Sequence, residues 1–246
     1  MITALRRRWR KEQFHPGWLG MLVNPFYFAR NGLRTELGEL LPLLSGAVLD
    51  VGCGRKPYRA LATGAVRYVG VDVDTPATRG HGDVDVFFDG KTLPLAEASF
   101  DGVLCSQVLE HVFTPEEFLR EIHRVLRPNG RLVLTVPFAW DEHEQPHDFA
   151  RYSSFGLRAL LERSGFDVVE QRKSVADLRA LAQLLSGWIF KVTRTSSPAA
   201  NGVVQLVMIA PVNLLGAVLG AMLPGNPDFY LDNVVLARKR APGEGR

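Results

Sequence analysis

Cysteine is scarce in this chain of 246 residues, which carries Cys53 and Cys105 and no others. Two cysteines build no disulfide framework and offer no metal-ligand spacing, so a stapled secreted scaffold is not indicated. Both fall at expected strand ends and read as small residues of a reduced, cytoplasmic protein. Internal repeats are missing as well, which excludes a repeat array. The net charge is a mild +3, and neither a separate RNA-binding domain nor a basic groove pattern is present. The amino end does not read as a signal peptide. The basic run Arg6, Arg7, Arg8, Arg10 and Lys11 is followed by Phe14, His15, Pro16, Gly17 and Trp18, with no continuous apolar core or small-residue cleavage site.

What is present starts with an apolar content of 46%, enough for one good core with additions. The stretch VLDVGCGRKPY, Val48 to Tyr58, joins a buried strand to a glycine turn. Ala47, Val48, Leu49 and Val51 suit a central parallel strand. Asp50 stands at its end, and Gly52 and Gly54 remove side chains where a ligand approaches the backbone. A short helical stretch over 56–61 is expected next, its first N–H groups pointing over the turn. The G-x-G-x-x-G fingerprint of dehydrogenases is not met, because Arg55, Lys56 and Pro57 follow.

Further strands are expected over 67–71, ending in Asp72; up to Phe88, with Asp89 beyond; and up to about Ser106 in FDGVLCSQVLEHV. A carboxylate at Asp72 can accept hydrogen bonds from both hydroxyls of a ribose. Each apolar run has a polar residue just past its end, and together these outline one crevice.

In this ordered set the chain resembles a class I S-adenosylmethionine-dependent methyltransferase of the small-molecule, type 11-like kind. The resemblance covers about residues 46–165 and, more loosely, 166–239. It implies S-adenosylmethionine as cofactor, with Asp50, Gly52, Cys53 and Gly54 at its methionine part and Asp72 and Val73 at its ribose. It places Asp89 and Gly90, with Leu93 alongside, near the adenine, and Ser106, Gln107 and His111 beside the reacting methyl. Lys56-Pro57 departs from the family pattern, where many members carry another glycine.

The periodicity supports the same architecture. Thr114-Pro115-Glu116-Glu117 reads as a capping box with proline at the first helical position. Phe118, Leu119, Ile122, Val125 and Leu126 then recur at helical spacing, and Arg127 closes the helix. Pro128-Asn129-Gly130 turns into a fifth strand over 131–136. A helix starts at Ser153 or Ser154, buries Leu157, Leu160 and Leu161, and ends at Gly165; the last strands are 166–169 and 233–237. The fold expected is α/β, a doubly wound Rossmann-like sheet. The resemblance brings it to seven strands with a final antiparallel one, and a helical extension and a helical insertion are added. The domains are an extension over 1–44, a methyltransferase domain over 45–172 and 231–240, and an apolar insertion over 173–230.

Two segments lie outside that pattern. Near the amino end Trp9, Phe14, Trp18, Leu19, Met21, Leu22, Phe26, Tyr27 and Phe28 are interleaved with cations. This suits either the interface of an anionic bilayer or a helical lid over the sheet domain. Val203 to Leu223 is as long as a bilayer-spanning helix, ~20 residues. Its two ends must return to one sheet, which argues against a single crossing. Pairing with an apolar helix over 178–192, and a kinked or hydrated middle at Pro211 and Asn213, fit a shallow dip into lipid. A soluble cap or a dimer interface is the other reading.

The chemistry is expected in PFAWDEHEQPHDFARYS, which follows the fifth strand. A similar run recurs in methyltransferases linked to glycan or lipid-linked sugar pathways. Methyl transfer to a hydroxyl needs positioning and a base near neutral pH. His143 leads, then His147, then His111. Glu144 or Asp148 would orient the imidazole, and Arg151 or Tyr152 would bind an acidic or sugar-like acceptor. Asp148 and Arg151 could equally be an ion pair pinning the loop. A metal at His143 and His147 with Asp141, Glu142 and Glu144 is disfavoured by Pro146, so none is expected. The function read here is methyl transfer to a hydroxyl of a small glycan-like or lipid-linked acceptor. The protein would be cytoplasmic, peripheral on the inner face of the membrane, with a homodimer among its partners and nucleic acid excluded. A non-catalytic scaffold of the same fold and an RNA methyltransferase are the alternatives.

Overall fold

A computed structural model describes residues 16–80 and 82–241. The basic cluster from Arg6 to Lys11, with Trp9 and Phe14, lies outside the described residues. Seven strands form one sheet: β1 Gly46–Val51, β2 Ala65–Val73, β3 Val86–Phe88, β4 Phe100–Ser106, β5 Leu126–Pro137, β6 Phe166–Ser174 and β7 Asp232–Lys239. Their order is β3-β2-β1-β4-β5-β7-β6. β1 runs parallel to β2 and β4, and so do β2 with β3 and β4 with β5. The Leu231 N–H donates to Ser174 O and the Arg240 N–H to Gly165 O, both at 3.0 Å. The end of β6 therefore meets the start of β7, and the pair is antiparallel. Because β7 lies between β5 and β6, the last strand in sequence is inserted into the sheet; a final antiparallel strand is what the resemblance implies, and the strand pattern alone does not show it.

The central strands are apolar on both faces because both faces are covered. Val48, Leu49 and Val51 of β1 and Leu132, Val133, Leu134 and Val136 of β5 are fully buried. The strand order reverses between β1 and β4, and in such sheets the crevice past the strand ends at this point is where ligands bind.

The helices are α1 Gly20–Val23, α2 Tyr27–Leu40, α3 Pro76–Arg79, α4 Pro115–Val125, α5 Ser154–Arg163, α6 Leu178–Thr193, α7 Pro198–Val204 and α8 Ala210–Met222. α4 buries Phe118, Leu119, Ile122 and Val125, the face its spacing predicts. Its capping box does not form. Thr114 makes no side-chain cap bond, and its carbonyl instead accepts the N–H groups of Glu117 and Phe118, both at 3.2 Å. Arg127 lies beyond the helix and pairs with Asp101 at 2.6 Å. Pro128-Asn129-Gly130 bulges out of β5, whose pairing with β4 jumps from Phe100↔Leu126 to Gly102↔Arg131. α5 starts as expected, with Ser153 Oγ accepting the Gly156 N–H at 3.2 Å, and Gly165 ends it with φ +88°.

The chain packs as two compact units. One comprises residues up to Thr35, Ala139–Asp141 and Lys173–Asp232; the other comprises Glu36–Phe138, Glu142–Arg172 and Asn233 onward. In the first, α7, a π-helical turn Gln205–Ile209 and α8 run on as one helix. Pro211, with no N–H to give, sits just after the π turn, which is where such a loosened turn is expected. Asn213 does not hydrate this helix. It is fully buried, accepts from Ser186 Oγ at 2.9 Å and donates to Met21 O at 2.9 Å. Gly216 allows close packing, since a Cβ there would lie 2.4 Å from Ala182 Cβ. The faces turned away from these contacts stay apolar: Trp188 is 62% and Val207 67% exposed, and Leu181, Leu185, Leu206, Leu215 and Val218 are exposed too.

Candidate active site

The glycine turn after β1 is held by close approach. Gly52 has φ +68°, and a Cβ on it would meet Val108 Cγ2 at 2.3 Å. Gly54 has φ +50°, and a Cβ there would meet nothing within 4 Å, so the turn opens onto free space. Lys56 occupies the place of the third glycine and keeps the left-handed conformation, φ +49°. Its stem lies across Gly70, where a Cβ would fall 2.2 Å from Lys56 Cε. Its Nζ reaches Asp85 Oδ2 at 2.6 Å, so the departure from the family pattern carries its own anchor. The helix expected over 56–61 shrinks to a 3₁₀ turn, Arg59–Leu61. Left-handed Lys56 followed by Pro57 starts no α-helix, and among the described residues that follow the turn only this 3₁₀ segment stands where the helix is expected.

Two carboxylates flank it. Asp50, 4% exposed, accepts a hydrogen bond from Tyr68 Oη at 2.7 Å. Burial pushes its carboxyl up to about 7, against the hydrogen bond from Tyr68 and the charge of Lys56. Asp72 is buried; its Oδ2 accepts the Gly54 N–H and its Oδ1 the Val73 N–H, both at 2.8 Å. Between them Cys53 is buried, and burial pushes its thiol up to about 12, so it stays a neutral, inert thiol. On the β3 side Asp89 is exposed and accepts the N–H groups of Lys91 and Thr92 at 2.8 and 2.9 Å. Gly90, φ +81°, lies beside Val73, which stands at the exposed end of β2.

At the end of β4, Ser106 Oγ lies 2.8 Å from Thr135 Oγ1. Gln107, in a left-handed conformation at φ +57°, donates its N–H to Thr135 O at 2.9 Å and its Nε2–H to Thr135 Oγ1 at 3.2 Å. Sequence reasoning passed over Thr135 and Tyr68. A hydroxyl inside the apolar run RLVLTVP was the available signal for the first; Tyr68, in RYVGVDV, gave none.

The loop after β5 is tied to the turn after β4 at two points. The Phe149 N–H donates to Glu110 O at 2.8 Å, and His111 Nδ1 lies 2.7 Å from His147 O. A carbonyl can only accept, so His111 Nδ1 carries the hydrogen and Nε2 the lone pair of the neutral ring. The rings of His111 and His143 meet edge to face, 4.7 Å between centroids. Asp148 Oδ2 accepts the His143 N–H at 2.9 Å and stands 3.4 Å from His143 Nδ1. Arg151 grips Asp148 with two bonds, 2.6 and 2.7 Å, and its NH2 is also 3.4 Å from His143 Nδ1. That guanidinium holds the Asp148 carboxyl well below the usual carboxylate range.

Of the two orienting acids, Asp148 thus stands at His143, while Glu144 is exposed at φ +50°. His147 is exposed and lies against Phe149, 6.2 Å between ring centroids. Arg151 is drawn into the ion pair with Asp148 and does not project as an acceptor-binding cation. Tyr152 is half-buried, and burial pushes its phenol up to about 12. Asp141 pairs with Lys191 at 2.6 Å.

Residues 49–134 match the family described as methyltransferase domain. The O-methyltransferase rstn1 of Aspergillus nomiae is 32% identical over 166 residues, covering 58% of this chain and 74% of that protein. A probable S-adenosylmethionine-dependent methyltransferase of Mycolicibacterium smegmatis is 35% identical over 135 residues, 49% of this chain and 52% of its own length. The chain therefore spans about half the length of that second relative. A SAM-dependent methyltransferase from Archaeoglobus fulgidus has the same fold, with TM-score 0.56 and 19% identity over 91% of this chain and all of that one. Sheet order, glycine turn and these relatives agree: the chain belongs to the class I S-adenosylmethionine-dependent methyltransferases.

Proposed function

We propose that the protein transfers a methyl group from S-adenosylmethionine to a hydroxyl of a small glycan-like or lipid-linked acceptor, at the cytoplasmic surface of a membrane. The observation that carries the reading is the placement of the His111, His143, Asp148 and Arg151 group. It stands on the turn after β4 and the loop after β5, on the same side of the sheet as the glycine turn.

The chain's residues fit the donor. Gly54 faces open space, and the donor has no phosphate that would call for a helix N-terminus. A carboxylate has about four lone-pair sites, so Asp72 keeps room for ribose hydroxyls beside its two backbone amides. Asp50 and the turn Gly52, Cys53 and Gly54 would hold the methionine part, Asp72 and Val73 the ribose, Asp89 and Gly90 the adenine side, and Ser106 and Gln107 the region of the methyl. The donor supplies a methyl carbon on a sulfonium, open to in-line displacement. His143 takes the acceptor's proton as the new oxygen–carbon bond forms, with Asp148 steadying the ring and the charge it gains. Arg151 fixes Asp148 in turn, and Tyr152 lines the acceptor side. Oxygen as the acceptor atom is supported by the name of the fungal relative.

The membrane part rests on the helical unit. Residues 198–222 form a largely unburied helix, long and apolar enough to cross a bilayer. β6 and β7 are neighbours in one sheet, so the segment between them leaves and returns on one side. A peripheral contact that sinks the exposed faces of α6 and α8 into one leaflet satisfies both facts. Methyl-labelled S-adenosylmethionine offered with free sugars, lipid-linked sugars on anionic liposomes, and RNA tests the reading. Label on a sugar hydroxyl, increased by liposomes, is expected; label on RNA alone refutes it.

A further inference from the structure

We propose that Glu110, His111 and His143 form a binding site for a divalent transition cation of the zinc or manganese class. Each offers one ligand atom, and these atoms lie within 4.8 Å of one another. His111 Nε2 is 3.9 Å from Glu110 Oε1. Ligands at ~2.1 Å from one cation stand roughly 3 to 3.5 Å apart, so the set closes on a cation with movements of about an ångström in side chains alone.

Three features distinguish this group from a chance meeting of polar side chains. First, His111 is presented as a metal-ligating histidine is, with the far nitrogen held by an acceptor. The His147 carbonyl receives His111 Nδ1–H at 2.7 Å, which puts the lone pair on Nε2, the atom that faces Glu110. His143 Nδ1 stands 3.4 Å from both Asp148 Oδ2 and Arg151 Nη2, beside the ion pair those two residues form. Second, Glu110 is fully buried, and a carboxylate taken out of water calls for positive charge beside it. Third, the two segments are locked in register by the Phe149 N–H to Glu110 O bond, so the ligands share a preset frame.

The donor set names the cation class. Two imidazoles and one carboxylate suit zinc, manganese or iron and leave coordination positions open, whereas magnesium prefers an all-oxygen shell. Bound there, the cation supplies a Lewis acid that makes a nearby hydroxyl more acidic. His143 would then be a ligand and not the proton acceptor, and the acidified hydroxyl would release its proton to solvent as it is methylated. That last role rests on the methyl-transfer reading; binding of the cation does not.

The test is equilibrium dialysis of the intact chain against zinc chloride or manganese chloride, with bound metal counted by mass spectrometry. The same samples are then titrated with S-adenosylmethionine. About one equivalent is expected, with affinity reduced roughly a hundredfold in Glu110→Gln and in His143→Ala. His147→Ala, which keeps the backbone carbonyl that holds His111, retains the metal. Substitution by cobalt(II) gives visible absorption bands in the intact chain that His143→Ala shifts or abolishes. Donor binding without stoichiometric metal, or metal kept by both ligand variants, overturns the cation site and leaves methyl transfer standing. Metal without donor binding does the reverse.

Discussion

Asp50→Asn separates the demands of the site from those of the fold. The Asp50 carboxyl is raised from an ordinary 3.8 to about 7 by burial, in spite of the Tyr68 hydroxyl and the Lys56 charge. A raised carboxyl binds its proton more tightly in the native chain than in the unfolded one. Its contribution to stability is therefore intact below about pH 4, is lost as pH rises from about 4 to 7, and is gone above that. At about 1.4 kcal/mol per pH unit, the ionised carboxylate costs on the order of 4 kcal/mol at pH 8. Asparagine is neutral at every pH and its Oδ1 still accepts from Tyr68 Oη, so the variant escapes that cost. Urea denaturation at pH 5 and pH 8 reads the difference: the stability of Asp50→Asn relative to the natural chain should grow by roughly 2 to 3 kcal/mol between the two. Curves that stay parallel across that range would refute the reasoning, since Asp50 would then ionise without penalty. Binding of the cationic donor should weaken in the same variant, the usual exchange of stability for function.

Other perturbations have equally definite outcomes. Asp72→Ala removes the acceptor of the Gly54 and Val73 amides and should weaken donor binding by about 2 kcal/mol in calorimetry; unchanged affinity removes its ribose role. His143→Ala should slow methyl transfer roughly a hundredfold or more with donor affinity intact, and full turnover moves the assignment to His147 or His111. Flotation with anionic liposomes should carry the intact protein upward and fail for Trp188→Ser combined with Val207→Ser; equal flotation of both places the contact elsewhere.

Sequence reasoning succeeded where local chemistry decides the structure. The apolar run of β1 and the glycine turn are adjacent in the chain, and Asp72 closes an apolar run of its own, so each follows from strand period and backbone freedom. α4 and α5 were legible for the same reason, through the spacing of Phe118 to Val125 and of Leu157 to Leu161. What escaped depends on partners far along the chain. Asn213 reads as a polar break in an apolar helix until Ser186 and the Met21 carbonyl are brought to it. His111 reads as a residue beside the reacting methyl, and its meeting with His143 is visible only once the loop after β5 is laid against the turn after β4. Tyr68 and Thr135 were hidden because a strand residue's role depends on which strand lies next to it. Lys56 shows the opposite failure: the helix expected from its surroundings is cancelled by its own left-handed backbone and by Pro57.

The central claim is that the crevice at the ends of β1, β2 and β4 holds S-adenosylmethionine through Asp72 and the glycine turn. Calorimetric titration of the folded protein with S-adenosylmethionine and S-adenosylhomocysteine tests it most directly. The account predicts saturable, micromolar binding of both, sharply reduced in Asp72→Ala. A folded sample that binds neither would contradict it and make the protein a scaffold whose apolar helical unit carries the function.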